Sequence, residues 1–133
     1  MFQAVADTHA LIRYVYADSR LSPAARAAFD QAVAESGQIG FSSISLVEIV
    51  YLIEKGRVKA ETLDRLLSEI ERDETVLVEL PLDKNIVEMI KRVPRDQVPD
   101  MPDRIIAATA LFCNVPVISR DGKIQLSKIQ TIW

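Results

Sequence analysis

Residues 2–15, Phe2-Gln3-Ala4-Val5-Ala6-Asp7-Thr8-His9-Ala10-Leu11-Ile12-Arg13-Tyr14-Val15, change hydrophobic period at Asp7. The first five form a short apolar run, the pattern of a strand buried on both faces. After it, Leu11, Tyr14 and Val15 recur at i, i+3 and i+4, one face of a helix. The same switch repeats along the chain. Residues 38–42 form a second apolar run, and Leu46, Ile49, Val50 and Ile53 then follow helical spacing up to Gly56, a residue suited to the left-handed position past a helix end. Residues 75–80 read as a third strand stopped by Pro81, and residues 115–119 as a fourth. Residues 130–133 read as a fifth.

Between these runs lie further helices. Ser22-Pro23 is an N-cap followed by proline at the first helical position, opening an Ala-rich helix that fails by Gly37. Leu63, Leu66, Leu67 and Ile70 mark another, residues 83–93 a third, and Ile105, Ile106, Thr109, Phe112 and Cys113 a fourth. Residues 94–102, with three prolines, form a loop. Near-continuous apolar strands separated by helices specify a parallel sheet covered on both faces. The expected fold is α/β, a three-layer α/β/α arrangement with four to five short parallel strands. No linker or repeat divides residues 1–133, which read as one domain.

Composition fits that reading. Of 133 residues, 49% are hydrophobic and 26% charged, with four Gly and six Pro. That balance excludes disorder, collagen-like repeats and coiled coil. A lone cysteine, Cys113, excludes a disulfide framework and a Cys-rich zinc site, so a reducing, cytoplasmic compartment is expected. No apolar run approaches the roughly 20 residues needed to cross a bilayer, and the opening residues lack the basic start of a signal peptide. Sixteen Lys and Arg against 19 Asp and Glu give a net charge of −3, too acidic for a protein that holds nucleic acid by a broad basic surface. A bound metal remains open as the source of positive charge.

Four acids fall where a parallel sheet builds its sites, beyond the carboxyl ends of the strands. Asp7 follows the first strand, and Asp121 the fourth. Glu48 lies early in the helix after the second strand, and Asp103 in the first turn of the helix leading into the fourth. Singly, each has an ordinary structural role. Ser45-Leu46-Val47-Glu48 matches a capping box, Asp100 and Asp103 suit the first turn of a helix, and Asp7 and Asp121 suit caps. Jointly they are harder to explain so. Asp7, Glu48 and Asp103 each border apolar helix, and carboxylates within ~5 Å of one another raise each other's pKa. A hard divalent cation with oxygen preference, Mg²⁺ or Mn²⁺, holds such a group ionised. With His9 as the sole histidine, a His-rich zinc centre is excluded.

At these residues the sequence resembles the PIN-domain family of metal-dependent ribonucleases, especially the VapC-type toxins of type II toxin–antitoxin pairs. Val5-Ala6-Asp7-Thr8 is similar to the family's first strand ending in Asp-Thr. Ser45-Leu46-Val47-Glu48 is similar to its Ser-x-x-Glu helix start. Asp103-Arg104-Ile105-Ile106-Ala107-Ala108-Thr109-Ala110 matches its most specific segment. Val117-Ile118-Ser119-Arg120-Asp121 resembles its last acidic motif, with Ser119 where Thr is commoner, and Thr131-Ile132-Trp133 resembles its terminal strand. Arg13 stands where many relatives carry Trp.

The resemblance implies that Asp7, Glu48, Asp103 and Asp121 bind one or two Mg²⁺ or Mn²⁺ ions and that water hydrolyses an RNA phosphodiester there. It implies that Thr8 and Ser119 orient water or carboxylates, that a cognate antitoxin silences the chain, and that the chain forms a homodimer. Arg104 and Arg120 adjoin site acids and are candidates for phosphate contact. Cys113, on the stripe with Phe112, is expected to be a buried thiol. Tyr14, Tyr16 and Tyr51 are expected in packing or interfaces. The competing readings are a PIN-like binding scaffold without turnover and, less well supported, a receiver-type signalling domain. The receiver needs an acidic pair after strand one and an Asp after strand three, where this chain has Asp7 alone and Glu79-Leu80-Pro81.

Overall fold

The computed structural model describes Met1–Trp133, apart from the side chain of residue 126. The described residues form β1 (Phe2–Ala6), α1 (Thr8–Val15), α2 (Pro23–Ala34), β2 (Gln38–Ser42), α3 (Ser43–Glu54) and α4 (Thr62–Ile70). These are followed by β3 (Leu77–Leu80), α5 (Lys84–Ile90), α6 (Met101–Cys113), β4 (Val117–Ile118), α7 (Gly122–Leu126) and β5 (Thr131–Ile132). The five strands make one sheet in the order β3-β2-β1-β4-β5, with every neighbouring pair parallel. This is the three-layer α/β/α fold expected from the alternation of periods.

β1 is the central strand, and its alternation assigns the layers. Ala4 and Ala6 pack with Leu11, Phe29, Phe41, Ile49 and Leu66, from the layer of α1 to α4 and from β2. Val5 points the other way, onto Ile106 and Ala110 of α6. β4 repeats the division, with Ile118 on the first face and Val117 on the second. The small residues of α6 let it lie close to the sheet while Ala107 and Ala108 pack with Ile86, Val93 and Ile124 on its outer side. As a result Ile105 to Ala110 are all buried, a helix apolar nearly all round as a covered element must be.

Two glycines are required by geometry. At Gly40 of β2 an added Cβ would lie 2.5 Å from Cδ1 of Leu80 on the neighbouring strand, so glycine lets that leucine cover the sheet. Gly56 has φ +69° past the end of α3. There the Gly56 N–H bonds to Ile53 O at 3.0 Å and the Arg57 N–H to Leu52 O at 2.9 Å, the glycine stop read from the sequence.

The boundaries differ from expectation where local chemistry intervenes. β3 begins at Leu77 because the Thr75 hydroxyl accepts the Leu77 N–H at 3.1 Å, closing a turn where residues 75–76 were expected to extend. Asp83 caps α5 through Asn85 and Ile86, so the helix starts one residue later than expected. β4 and β5 are two residues each, and α7 was not anticipated. Phe112 is half exposed and Cys113 is only partly buried, which corrects the expectation of a fully buried thiol.

Phe29 is fully buried and its ring stacks on Tyr14 with centroids 4.1 Å apart. Phe29→Ala should therefore destabilise the domain by about 3–5 kcal/mol, measured as a lower urea midpoint with an unchanged slope.

Candidate metal centre

The strand order reverses beside β1. β2 and β3 lie to one side of it, and the chain then crosses back to build β4 and β5 on the other. Such a reversal opens a crevice beyond the carboxyl ends of the strands. Asp7, the first residue after β1, sits at that point. Its N–H bonds to Ile118 O at 3.0 Å, fixing β1 to β4. Its extended backbone makes it the N-cap of α1, with Oδ1 accepting the Ala10 N–H at 2.8 Å.

Glu48 reaches the same place from α3. The cap of α3 is Ser42, whose hydroxyl accepts the Ile44 N–H at 3.1 Å. Ser45 and Glu48 are thus inside the helix and form no capping box, which corrects that reading of Ser45-Leu46-Val47-Glu48. They turn instead toward α1, where the Thr8 hydroxyl lies 2.5 Å from Glu48 Oε1 and 2.9 Å from Ser45 Oγ. Asp103 is the third residue of α6, and Asp100 is its N-cap without a capping hydrogen bond from the side chain. Asp121 caps α7, its Oδ1 accepting the N–H groups of Lys123 and Ile124 at 2.9 and 3.0 Å. The Asp121 N–H in turn donates to Ser119 Oγ at 3.0 Å. Ser119 is completely buried, and its hydroxyl lies near enough to the Asp7 carboxyl to favour its ionised form, so one side chain acts on two of the acids.

A cleft of about 550 Å³ is lined by Asp7, Glu48, Asp100, Asp103 and Asp121, together with Thr8, His9, Arg13, Arg120 and Trp133. The structure brings all four sequence-predicted acids to one opening. Thr8 and Arg120 line it, and Ser119 lies beneath. Arg104 does not line the cleft. Its Nε donates to Val93 O at 2.9 Å and its Nη2 to Ile90 O at 3.3 Å, holding the end of α5. The structure thus does not bring Arg104 to the opening that the acids line.

Asp100, Arg13, His9 and Trp133 were not singled out from sequence as site residues. Helical spacing was the available signal. Asp100 and Asp103 are three apart at a helix start, and His9 and Arg13 four apart on α1.

The electrostatics are those of crowded, partly dehydrated acids. Burial pushes Asp7 above the usual carboxylate range, opposed by Ser119, the Ala10 N–H and His9. Burial also raises Glu48, opposed by Thr8 and His9 and reinforced by Asp100 and Asp7. Asp103 is raised from 3.8 to about 7, first by burial and then by the charges of Asp121, Asp100, Glu48 and Asp7. Five carboxylates and no sulfur form a donor set suited to a hard divalent cation. The acids face one cleft without yet converging, for among the described residues no three Asp, Glu, His or Cys side chains meet at a common ion position.

The fold and cleft together define a parallel α/β domain that gathers carboxylates at the switch point of its sheet. The PIN domain sequence profile matches residues 4–129, and the chain belongs to the PIN-domain family. No curated protein matches the sequence. Among solved structures, the chain is similar to VapBC2 from Rickettsia felis bound to a DNA fragment from its promoter, with TM-score 0.68 and 15% identity over 98% of this chain and 97% of that one. It is also similar to a toxin–antitoxin complex from Klebsiella pneumoniae (TM-score 0.66, 21% identity) and to DNA-bound VapBC from Salmonella typhimurium (TM-score 0.66, 19% identity). Both cover 98% of this chain and 97% of the other.

The raised acids set a pH dependence. An acid whose pKa is higher in the folded state binds more protons there, so stability falls as pH rises between its unfolded and folded values. In EDTA the domain should lose stability from pH about 4 to about 7. Asp103→Asn should flatten that loss, measured as urea midpoints across the range. An equally steep loss in the variant would mean that Asp103 is not its source.

Proposed function

We propose that the cleft is the active site of an Mg²⁺- or Mn²⁺-dependent endoribonuclease and that the chain is the toxin of a type II toxin–antitoxin pair. The observation that carries this reading is the arrival of Asp7, Glu48, Asp103 and Asp121 from four separate elements at a single opening. Membership of the PIN family, a family of nucleases, supports hydrolysis of a phosphodiester. The likeness to the VapBC complexes supports an antitoxin as partner. No helix among the described residues is long and apolar enough to cross a membrane, which is compatible with the cytoplasmic location proposed here. A homodimer belongs to the same proposal, and Val47, Val50 and Tyr51, exposed on one face of α3, offer apolar surface for it.

Asp7, Glu48, Asp103 and Asp121 would hold the cation, with Asp100 beside them. Bound there, Mg²⁺ or Mn²⁺ supplies an activated water and neutralises charge developing on the phosphate. The protein's part is positioning. Thr8 holds Glu48 toward the cleft through its hydroxyl. Ser119 couples Asp7 to the backbone of Asp121, so the two carboxylates keep a fixed relation. Asp103 is poised to give up a proton near neutrality when a cation arrives, so binding should release protons and tighten as pH rises. Arg120, at the rim, is placed to meet backbone phosphate.

The test is cleavage of tRNA, rRNA and mRNA by the purified chain in Mg²⁺ or Mn²⁺, abolished by EDTA. Asp7→Asn and Asp103→Asn should each lose activity by roughly a hundredfold or more with the fold intact, and Ser119→Ala by roughly 10–100-fold through weakened metal affinity. Full activity in both Asn variants would overturn the site assignment. Metal binding with no cleavage of any of the three RNA classes would assign a scaffold without turnover.

A further inference from the structure

The cleft holds two arginines that its acids do not pair. Among the described residues, neither Arg13 nor Arg120 forms an ion pair with a carboxylate, although both line the same opening as five acids. Arg13 stands out further. Its Nη1 is shut off from solvent and no described residue supplies a hydrogen-bond partner for it. A guanidinium nitrogen that is buried and unmatched is unfavourable in the free protein, and an anion bound against the open part of the same fork offsets that cost. Burial, then the like charges of Arg120 and Arg20, bear on the Arg13 guanidinium ahead of the attraction of Asp18 and Asp7.

The guanidinium is also oriented. Its Cζ lies 5.6 Å from the ring centroid of Trp133, so the aromatic face fixes the position of the planar fork. Arg13 stands four residues after His9 on α1, which carries both into the cleft. A planar, pre-positioned fork beside a second arginine matches two oxygens of a phosphodiester, a group that a compact ammonium matches less well.

We propose that Arg13 is a phosphate-binding residue that grips, together with Arg120, the RNA backbone next to the bond being cleaved. This rests on the nuclease reading above. Substrate phosphate then meets the part of the Arg13 fork that is open to the cleft and screens the repulsion between the two arginines. Trp133 acts as a positioning residue that holds the Arg13 fork in its plane.

The test uses a fluorescein-labelled 12-nucleotide single-stranded RNA of mixed sequence and the full chain carrying Asp103→Asn, so that binding is read without cleavage. Adding Arg13→Ala or Arg13→Gln should weaken binding about tenfold and reduce the slope of log affinity against log salt by about 0.7. Arg13→Lys should restore the slope but only part of the affinity. In the otherwise wild-type chain, Arg13→Gln should raise KM more than it lowers kcat, with the thermal midpoint not lowered and Mn²⁺ affinity retained. Unchanged affinity and slope in both charge-removing variants would overturn the proposal. So would weaker binding with an unchanged slope, which would make Arg13 a packing residue against Trp133. A parent chain that cleaves RNA while its Arg13 variants match it removes this inference alone. A parent that neither binds nor cleaves the RNA removes the nuclease reading with it.

Discussion

A carboxylate only 6% exposed, placed where the central strand runs out, is the constraint around which the domain is arranged. Dehydrating Asp7 is unfavourable, and the structure offsets it with groups from three directions. The Ala10 N–H comes from the first turn of α1, the Ser119 hydroxyl from the end of β4, and His9 at the rim favours the ionised carboxylate electrostatically. These compensations also do architectural work. Accepting from Ala10 starts α1, and the bond from the Asp7 N–H to Ile118 O helps register β4 against β1. Removing the charge would relieve that cost, the sense in which a buried acid among other acids works against local stability.

Small residues make the crowding sterically feasible. Ala4 and Ala6 on one face of β1, and Ala107, Ala108 and Ala110 on α6, are all buried. They let helices from both layers approach the sheet, so Glu48 arrives from one side and Asp103 from the other. The cleft is therefore shared between two separately packed cores. Larger side chains along either face would push a layer outward and separate acids whose mutual influence is visible in the raised Asp103.

Legibility in the sequence followed the range of the forces. The change of period at Asp7, the stretch 38–42 and the stop at Gly56 rest on local spacing and backbone freedom, and the structure has them where the sequence places them. β4 and β5 are harder to delimit because a two-residue strand is defined by its pairing, which no window of sequence contains. The role of Ser45 was misread because Ser42 and Ser45 are both plausible caps, and only the trajectory of the chain out of β2 selects Ser42. The arginines show the same limit. Arg104 adjoins Asp103 in sequence but turns to the carbonyls of Ile90 and Val93, whereas Arg13 lies far from every predicted acid except Asp7 and yet faces the cleft. Neighbours along a helix diverge by about 100° per residue, so adjacency is a poorer guide to a shared site than a spacing of four.

The position of β4 between β1 and β5 bears on how the molecule comes into being. The strand that completes the pocket, and the acid that follows it, lie more than a hundred positions beyond Asp7 along the chain. Closing so long a loop is among the slower events of folding. While the polypeptide emerges from the ribosome, its first three strands can begin to pair long before the fourth exists. A cleft assembled in this order stays incomplete until the fourth strand and the acid that follows it have docked.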